Sequence, residues 1–326
     1  MRSRRNPMQA LAIVAAALVL AGCGGSSAST GAGTLDKPKS SAGNELVVLA
    51  DDQHLQTVDN VIPVVNAKVD SPALEQALNA VSKVLTTDDL LTMNKSADID
   101  RKSPAVVAQT YVDEKKLATG VTGGSGKVVV GGANFNESGI LANIYADVLK
   151  AAGFDASVKP VTNREVYEPA LERGDITVFA EYAGTLTEFL NKKANGPSAA
   201  PLATGDLNAT VSALSGLAQK KGLKVLEPAQ AADQNAFAVT KNFAQDNDLH
   251  TLSDLKNYKG TLVLGGPPEC PKRPFCQLGL QDKYGIHFTG FKSLDAGGPL
   301  VKAALKSGDV QLGLVFSTDS SLSTLS

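Results

Sequence analysis

The sequence predicts an α/β fold in which strands and helices alternate, forming mostly parallel sheets with helices on both faces. A short apolar strand, KVVVGG at 127–132, ends in a Gly-Gly pair. A helix then opens at Ser138, and its apolar residues recur at helical spacing until Gly153 ends it. Further short apolar runs alternate with helical segments to the end of the chain, which is the order of β-α-β units.

The remaining elements follow in the same alternation. The predicted strands are 127–132, 156–161, 176–180, 223–226, 236–240, 261–265 and 311–316, and the predicted helices are 138–152, 163–173, 207–221, 277–284 and 300–307. In such sheets, ligands bind outside the carboxyl ends of the strands. The candidate site therefore comprises the segments 133–138, 181–185, 266–277 and 316–319.

The N-terminus is typical of an exported protein. Three arginines within the first five residues precede an apolar run at 9–20, which is too short to serve as a mature transmembrane helix. The next residues end in Ala21-Gly22-Cys23. This order predicts a signal peptide over 1–22 and resembles the lipobox of bacterial lipoproteins, which implies lipid attachment at Cys23. The alternative is an ordinary signal peptide that contains a cysteine.

The segment 23–44 is rich in Gly, Ser, Ala and Thr, so we expect a flexible tether. We therefore expect the protein on the extracytoplasmic face of the cell membrane, held there by its lipid. The rest of the chain is long enough for one large or two modest domains. Its net charge of −2 gives no indication of a nucleic-acid partner, and no second apolar run is long enough to cross a bilayer.

Cys270 and Cys276 are the cysteines that follow Cys23, and they lie six residues apart. An exported protein is in a compartment where disulfides persist, so we expect these two to close a small loop. A metal site would need more ligands than the scattered histidines supply, and we expect neither a metal nor another cofactor. No nucleophile elbow, Walker-type loop or His-Glu-x-x-His is present, which argues against an enzyme.

Several segments resemble one known family. They are GGANFNESGILANIYADVLKAAGF at 131–154, EYAGT at 181–185, ECPKRPFCQLGLQDKY at 269–284 and LVFSTD at 314–319. Together they are similar to the substrate-binding proteins of glycine betaine, choline and carnitine ABC importers. The resemblance implies a periplasmic-binding-protein fold, type II-like, with two α/β lobes and a quaternary amine in the cleft between them. It also implies a monomer that serves an ABC permease and ATPase. A ligand-sensing or scaffolding lipoprotein without a transport role is the alternative.

The order of the resembling segments indicates a circular permutation. Residues 44–65 resemble the stretch that follows the aromatic-Ser-Thr-Asp segment in the family, and 74–117 resemble its C-terminal helices, yet both precede the strand at 127. A Gly-rich stretch at 118–126 would join the old termini, which is tolerable where ends lie close together. A separate N-terminal helical domain is the alternative.

Permutation predicts the lobe boundaries. The first lobe would run from 45 to 235 and the second from 236 to 316. Residues 317–326 would be the remnant of a second crossover, lying against the first lobe without a covalent connection. One covalent crossover would then survive, near 235–238.

The resemblance also implies the ligand-binding residues. A quaternary ammonium group has no N–H donors and is held by aromatic faces. Tyr182, Phe237 and Phe316 match the family's aromatic positions, Arg273 its carboxylate-binding arginine and Thr185 a hydroxyl donor. From the residues alone, an aromatic side chain in an apolar strand, such as Phe237 or Phe316, is more often part of the core.

Three further residues complete the candidate set, and the chain also departs from the family pattern. Asn235 precedes the Phe237 position, while Asn134 and Phe135 follow the first strand as a candidate wall. Ala133 replaces a family lysine, and Lys302 lies where a fourth aromatic is expected. We expect Phe275, held by the Cys270–Cys276 loop, to enter the cleft as a substitute. Arg273 favours a zwitterion slightly over choline.

Overall fold

The computed structural model describes the backbone of residues 44–324 and the side chains of 44–322. The expected signal peptide, the lipid attachment at Cys23 and all but the last residue of the expected tether lie outside this part of the chain. Within residues 44–324, no helix has the length and apolar character that a bilayer span requires.

The described chain contains two sheets and the helices that pack on them. The strands are β1 (Leu46–Val48), β2 (Val61–Asn66), β3 (Lys127–Gly132), β4 (Asp155–Pro160), β5 (Val178–Tyr182), β6 (Leu223–Val225), β7 (Asn235–Thr240), β8 (Val263–Gly266), β9 (Gly290–Ser293), β10 (Leu312–Phe316) and β11 (Ser323–Thr324). The helices are α1 (Pro72–Val84), α2 (Thr87–Asp98), α3 (Pro104–Glu114), α4 (Asn136–Ala151), α5 (Arg164–Arg173), α6 (Ala183–Asn195), α7 (Leu207–Gln219), α8 (Lys241–Asp246), α9 (Gln277–Tyr284) and α10 (Pro299–Ser307).

Each sheet defines one lobe. The first lobe has the strand order β4-β3-β5-β2-β6, and the second has the order β11-β1-β7-β10-β8-β9. Each lobe has its own apolar core. This architecture confirms the predicted two-lobed α/β fold, and the strands and helices predicted from residue 127 onwards recur within three residues of their expected ends.

The sheets are mostly parallel, as predicted, and each contains one strand that runs against all the others. In the first lobe, β2 runs antiparallel to β5 and β6, while β3 is parallel to β4 and β5. In the second lobe, β7 runs antiparallel to β1 and β10. β2 and β7 are the strands by which the chain enters each sheet from the other lobe. They therefore escape the β-α-β connections that make sequential strands parallel.

The chain passes between the lobes twice. It leaves the second lobe after β1, crosses at 49–60 to reach β2, and returns at 226–234 to reach β7. The two crossovers lie side by side, since Asn60 and Ala232 form a β-bridge and the Asp233 amide donates to the Asp59 carbonyl at 3.1 Å. The expectation of a single covalent crossover was wrong. It placed β1 in the first lobe, whereas β1 is a strand of the second sheet.

Residues 317–324 are consequently not the remnant of a crossover. The Thr318 side chain hydrogen-bonds to Asn94 and Glu137 of the first lobe, so this part of the segment does lie against that lobe. Asp319 forms an ion pair with Lys302, and the chain then pairs as β11 in parallel with β1. Both described ends of the chain thus lie next to each other in the second sheet.

Helices α1, α2 and α3 belong to the core of the first lobe. Leu78 of α1, Leu90 of α2 and Val107 of α3 share one buried cluster with Ile140 of α4. This packing argues against a separate N-terminal helical domain. The Gly-rich stretch 118–126 is the connection between α3 and β3, where several of its glycines have positive φ angles.

We expect Gly184→Ala to lower the free energy of unfolding by about 1–3 kcal/mol through overpacking. A β-carbon at Gly184, in the first turn of α6, would overlap the Thr57 hydroxyl and the Val58 carbonyl of the first crossover. Gly216→Ala in α7 is the matched control, because a β-carbon there meets open space and alanine favours a helix by up to about 1 kcal/mol. Urea denaturation of both variants checks this, and equal effects would contradict it.

Candidate ligand-binding site

A cavity of about 320 Å³ lies between the two lobes. It is lined by residues of the four segments expected from the sequence, among them Ala133, Asn134, Phe135, Tyr182, Thr185, Pro267, Pro268, Glu269, Cys270, Arg273, Cys276 and Phe316. Its size is within the range of sites for small molecules. Because these segments follow strands β3, β5, β8 and β10, the cavity lies at the carboxyl ends of strands from both sheets.

Three aromatic side chains meet in this cleft. Phe135 directly precedes α4, Tyr182 is the last residue of β5, and Phe316 is the last residue of β10. The ring centroids of Phe135 and Phe316 are 5.5 Å apart, and those of Phe135 and Tyr182 are 6.5 Å apart. The two lobes therefore contribute to one aromatic surface.

The Tyr182 hydroxyl leads into a buried polar cluster that joins both lobes. It donates to Glu137 at 2.6 Å, and the second oxygen of Glu137 accepts from Asn94 at 2.6 Å and from the Thr318 hydroxyl at 2.8 Å. Asp233, on the second crossover, accepts from the Thr318 amide at 3.0 Å. The cluster thus connects the first lobe, a crossover and the end of β10.

The pKa values of two carboxyls in this cluster, Glu137 and Asp233, are raised. Burial raises the pKa of Glu137, although hydrogen bonds from Tyr182 and Asn94 oppose the shift. Burial and then the neighbouring Glu137 raise the pKa of Asp233 well above its ordinary value. Repulsion between two carboxylates that are buried near each other disfavours the ionised forms, which agrees with the direction of both shifts.

Thr185 is fixed by a buried carboxyl. Its amide donates to Asp59 at 2.9 Å, and its hydroxyl donates to the other oxygen of Asp59. Burial raises the pKa of Asp59 to about 7, although the hydrogen bonds from Thr185 and the charge of Arg164 oppose the shift. The sequence-predicted hydroxyl donor is therefore engaged with a cleft residue from the first crossover.

Arg164 and Glu181 form a buried ion pair beneath the cleft. The guanidinium donates to Glu181 through Nε at 3.0 Å and Nη2 at 2.7 Å, and the Tyr167 hydroxyl adds a donor at 2.9 Å. The two charged side chains are only 6% and 1% exposed. Burial by itself would lower the pKa of Arg164, but Glu181 raises it well above its ordinary value.

Arg273 lies in the cleft but contacts the opposite lobe. Its guanidinium donates to Glu165 of α5 at 3.2 Å and 2.9 Å, and it lies 3.5 Å from Glu269. Glu269 in turn accepts from Asn163 at 3.4 Å. These contacts connect the disulfide loop of the second lobe to the start of α5 in the first.

The predicted disulfide between Cys270 and Cys276 is present and buried. Asn235 donates to the Phe275 carbonyl in this loop at 3.0 Å, which ties the start of β7 to it. The Phe275 ring is buried and does not line the cavity, so the expectation that it substitutes for a missing aromatic is not supported. Within this loop, Cys270, Arg273 and Cys276 line the cavity instead.

Phe237 is not brought to the cleft either. It is 1% exposed and packs in the core of the second lobe with its cross-strand partner Leu314. It lies two residues further into β7 than Asn235, which does line the cavity. Distance from the strand end therefore removes it from the candidate site. Lys302, at the other departure from the family pattern, pairs with Asp319.

Sequence reasoning missed the charged residues of the site. Glu137 and Glu181 lie inside segments that were already singled out. Glu137 is in the first turn of α4 and Glu181 is within the apolar strand β5, where a charged side chain was the available signal. Asp59 and Asp233 lie on the two crossovers and meet only in the folded protein. Within residues 44–324, no group of three His, Cys, Asp or Glu side chains is placed to hold a metal ion.

Two α/β lobes, two adjacent crossovers and a cleft between the lobes define the fold class of the periplasmic binding proteins. Residues 39–114 and 126–326 match the family model of the substrate-binding domain of ABC-type glycine betaine transport systems. The chain belongs to this family.

The sequence identity between this chain and individual relatives is low. A glycine-betaine-binding protein of Pseudomonas aeruginosa is 29% identical over 204 residues, which are 59% of this chain and 62% of that protein. The chain thus spans about three fifths of that relative's length. A crystal structure of a glycine betaine/carnitine/choline ABC transporter is 23% identical, covering 52% of this chain and 60% of that one, with a TM-score of 0.32. Haemophilus influenzae OppA in complex with the peptide RPPGFSPFR is 13% identical, covering 56% and 44%, with a TM-score of 0.27.

Proposed function

We propose that this protein is the extracytoplasmic solute-binding component of an ABC importer. It captures a quaternary ammonium compatible solute, namely glycine betaine, choline or carnitine, in the cleft between its lobes. The observation that carries this proposal is the aromatic surface of Phe135, Tyr182 and Phe316 in a chain of this family. A quaternary ammonium group offers no N–H donor, so aromatic faces attract it through cation–π interaction and the loss of water.

Delivery of the solute would use movement of the lobes about the paired crossovers. Two adjacent connecting segments permit rotation while keeping the lobes in register. The bridge from Arg273 to Glu165 joins the lobes across the cleft, so opening of the cleft would have to break it. A permease and its ATPase are the partners that receive the solute, and the protein acts as a monomer.

The membrane anchor is part of the same proposal. Lipid at Cys23 and the Gly- and Ser-rich segment that follows would hold the protein at the membrane, with the chain entering the second lobe at β1. The permuted order is also part of the proposal, and the gap at 115–125 between the two segments that match the family model falls on the Gly-rich connection where the old termini would be joined. Replacing Cys23 by alanine should release the protein from the membrane fraction. Retention there would contradict the anchor.

Substitutions at Phe316 test the role of the aromatic surface. Leucine keeps apolar bulk but removes the π face, so we expect Phe316→Leu to weaken solute binding by up to about thirty-fold. Phe316→Tyr should retain most of the affinity. Phe237→Leu is the matched control, because Phe237 lies in the core and its replacement should lower stability with little effect on affinity. Titration calorimetry measures all three, and equal losses for Phe316→Leu and Phe237→Leu would contradict the proposal.

A further inference from the structure

Among the charged side chains that line the cleft, acidic residues outnumber arginines. Its acidic side chains are Asp59, Asp233, Glu269 and Asp295, and its arginines are Arg164 and Arg273. Both arginines are already paired with carboxylates. The Arg164 guanidinium is held by Glu181 in the buried ion pair, and the Arg273 guanidinium is held by Glu165 and Glu269. A ligand carboxylate would have to displace one of these partners to gain an arginine.

The acidic residues differ in what they contact. Both oxygens of Asp295 accept backbone N–H groups at the start of α10, each at 2.9 Å. Asp233 accepts from Thr318 and faces the Glu137 carboxyl. Glu269 contacts Arg273 and Asn163. Asp59 accepts hydrogen bonds from the amide and the hydroxyl of Thr185, and both of these groups are uncharged.

Asp59 is also placed where a ligand can reach it. It lines the cavity from the first crossover, and the same cavity is lined by Tyr182 at the end of β5 and by Thr185 at the start of α6. The charged groups that face it are Arg164 of α5 and Glu181 of β5, whose charges compensate each other. A carboxyl that is buried without a cation of its own attracts a cationic ligand strongly.

We propose that Asp59 is the anionic contact for the cationic head of the ligand, so that the cleft selects an organic cation without a carboxylate over a zwitterion. This inference rests on the function proposed above and names the class of solute. It reverses the preference that Arg273 suggested from the sequence, because Arg273 is occupied by the opposite lobe.

Proton release accompanies binding in this arrangement. Burial raises the pKa of Asp59 to about 7, so a large share of the free protein carries a proton there at neutral pH. A cation beside the carboxyl stabilises its ionised form and expels that proton. Affinity for the cation therefore rises with pH through neutrality. Glu137 and Asp233 also titrate near the cleft, so the assignment requires a variant of Asp59 itself.

Calorimetric titration with choline chloride and with glycine betaine, at about pH 6 and about pH 8, tests the proposal in the wild type, Asp59→Asn and Asp155→Asn. Asp155 is an exposed carboxylate of β4, outside the cleft, and its variant is the matched control for the charge change. We expect the wild type and the control to bind choline at least about tenfold more tightly than glycine betaine at the higher pH. Lowering the pH should weaken choline binding by up to about tenfold. Asp59→Asn should lose both the discrimination and the pH dependence.

Each contrary outcome has a distinct meaning. Equal affinity for both solutes, or a pH dependence that persists in Asp59→Asn, overturns the role of Asp59 and leaves the proposed function intact. No binding of either solute by the wild type overturns the proposed function as well. If circular dichroism shows that Asp59→Asn does not fold, the wild type is titrated with choline in buffers of different ionisation enthalpy. These titrations measure the number of protons released on binding. Release of about half a proton or more at neutral pH supports the proposal, and no release overturns it.

Discussion

Replacement of Arg164 by methionine is expected to lower the free energy of unfolding by about 3–5 kcal/mol, because it leaves the buried Glu181 carboxylate without its cation. Glu181 would keep the Tyr167 hydroxyl at 2.9 Å and the Tyr182 amide at 3.2 Å. These neutral donors do not replace a bidentate guanidinium. Urea denaturation followed by circular dichroism measures the loss.

The double variant Arg164→Met/Glu181→Leu distinguishes the loss of the whole ion pair from the cost of leaving Glu181 without its cation. Removing both charges ends the cost of burying one of them alone, so the double variant should be more stable than Arg164→Met. Arg173→Met is the matched control, since Arg173 pairs with Asp175 on the surface and should contribute less than about 1 kcal/mol. A loss below about 1 kcal/mol for Arg164→Met would contradict the account of this ion pair.

Asp233→Asn is expected to become more stable relative to the wild type as pH rises. The pKa of Asp233 is raised in the folded state, first by burial and then by Glu137, whereas the unfolded chain ionises near its ordinary value. The stability that this carboxyl contributes is therefore complete at low pH and declines as pH rises towards the folded-state pKa. Asparagine does not ionise and keeps an acceptor for the Thr318 amide.

The difference in the free energy of unfolding between Asp233→Asn and the wild type should grow by up to about 1.4 kcal/mol per pH unit, which is the slope for one proton. Denaturation at several values between about pH 5 and about pH 8 measures it. Asp155→Asn, on the exposed face of β4, is the control, and its free energy of unfolding should change with pH in the same way as that of the wild type. A constant difference between Asp233→Asn and the wild type over this range would show that Asp233 is ionised in the folded protein, contrary to our account.

Local patterns predicted most of the secondary structure. Helix α4 was expected from Ser138 to Gly153 and spans Asn136–Ala151, and β3 has its expected ends at Lys127 and Gly132. These elements combine clear apolar periodicity with glycine at their ends. The direction of β2 and β7 could not be predicted in this way, because it depends on which lobe each strand comes from.

The position of the chain ends shows the same limit. The resemblance of 44–65 to a later segment of the family predicted a cut crossover, but β1 pairs with β7 and β11 inside the second sheet. The lobes are therefore joined by two covalent segments and not by the single one that the permutation predicted. Val47 of β1 pairs with Val239 and Ser323, which are 192 and 276 residues away, and pairing over such separations is not visible in local sequence.

The sequence predicted most of the residues that line the candidate site, but it did not predict the site's carboxylates. Seven of the eight expected ligand-binding residues line the cleft, and Phe237 is the exception because it lies deeper in β7. The structure gives the positions of these seven residues, and their contact with a solute stays a prediction. Asp59 and Asp233 gave no motif, since each is a single carboxylate before a strand. Their environment arises only where the crossovers meet.

Titration calorimetry of the chain from residue 24 onwards with choline, glycine betaine and carnitine tests the central claim most directly. We expect saturable heat from at least one of these solutes, with one site per chain and a negative change in heat capacity from the burial of apolar surface. The absence of binding heat from all three, over a range of temperatures in which the protein is folded, would contradict capture of a quaternary amine in this cleft.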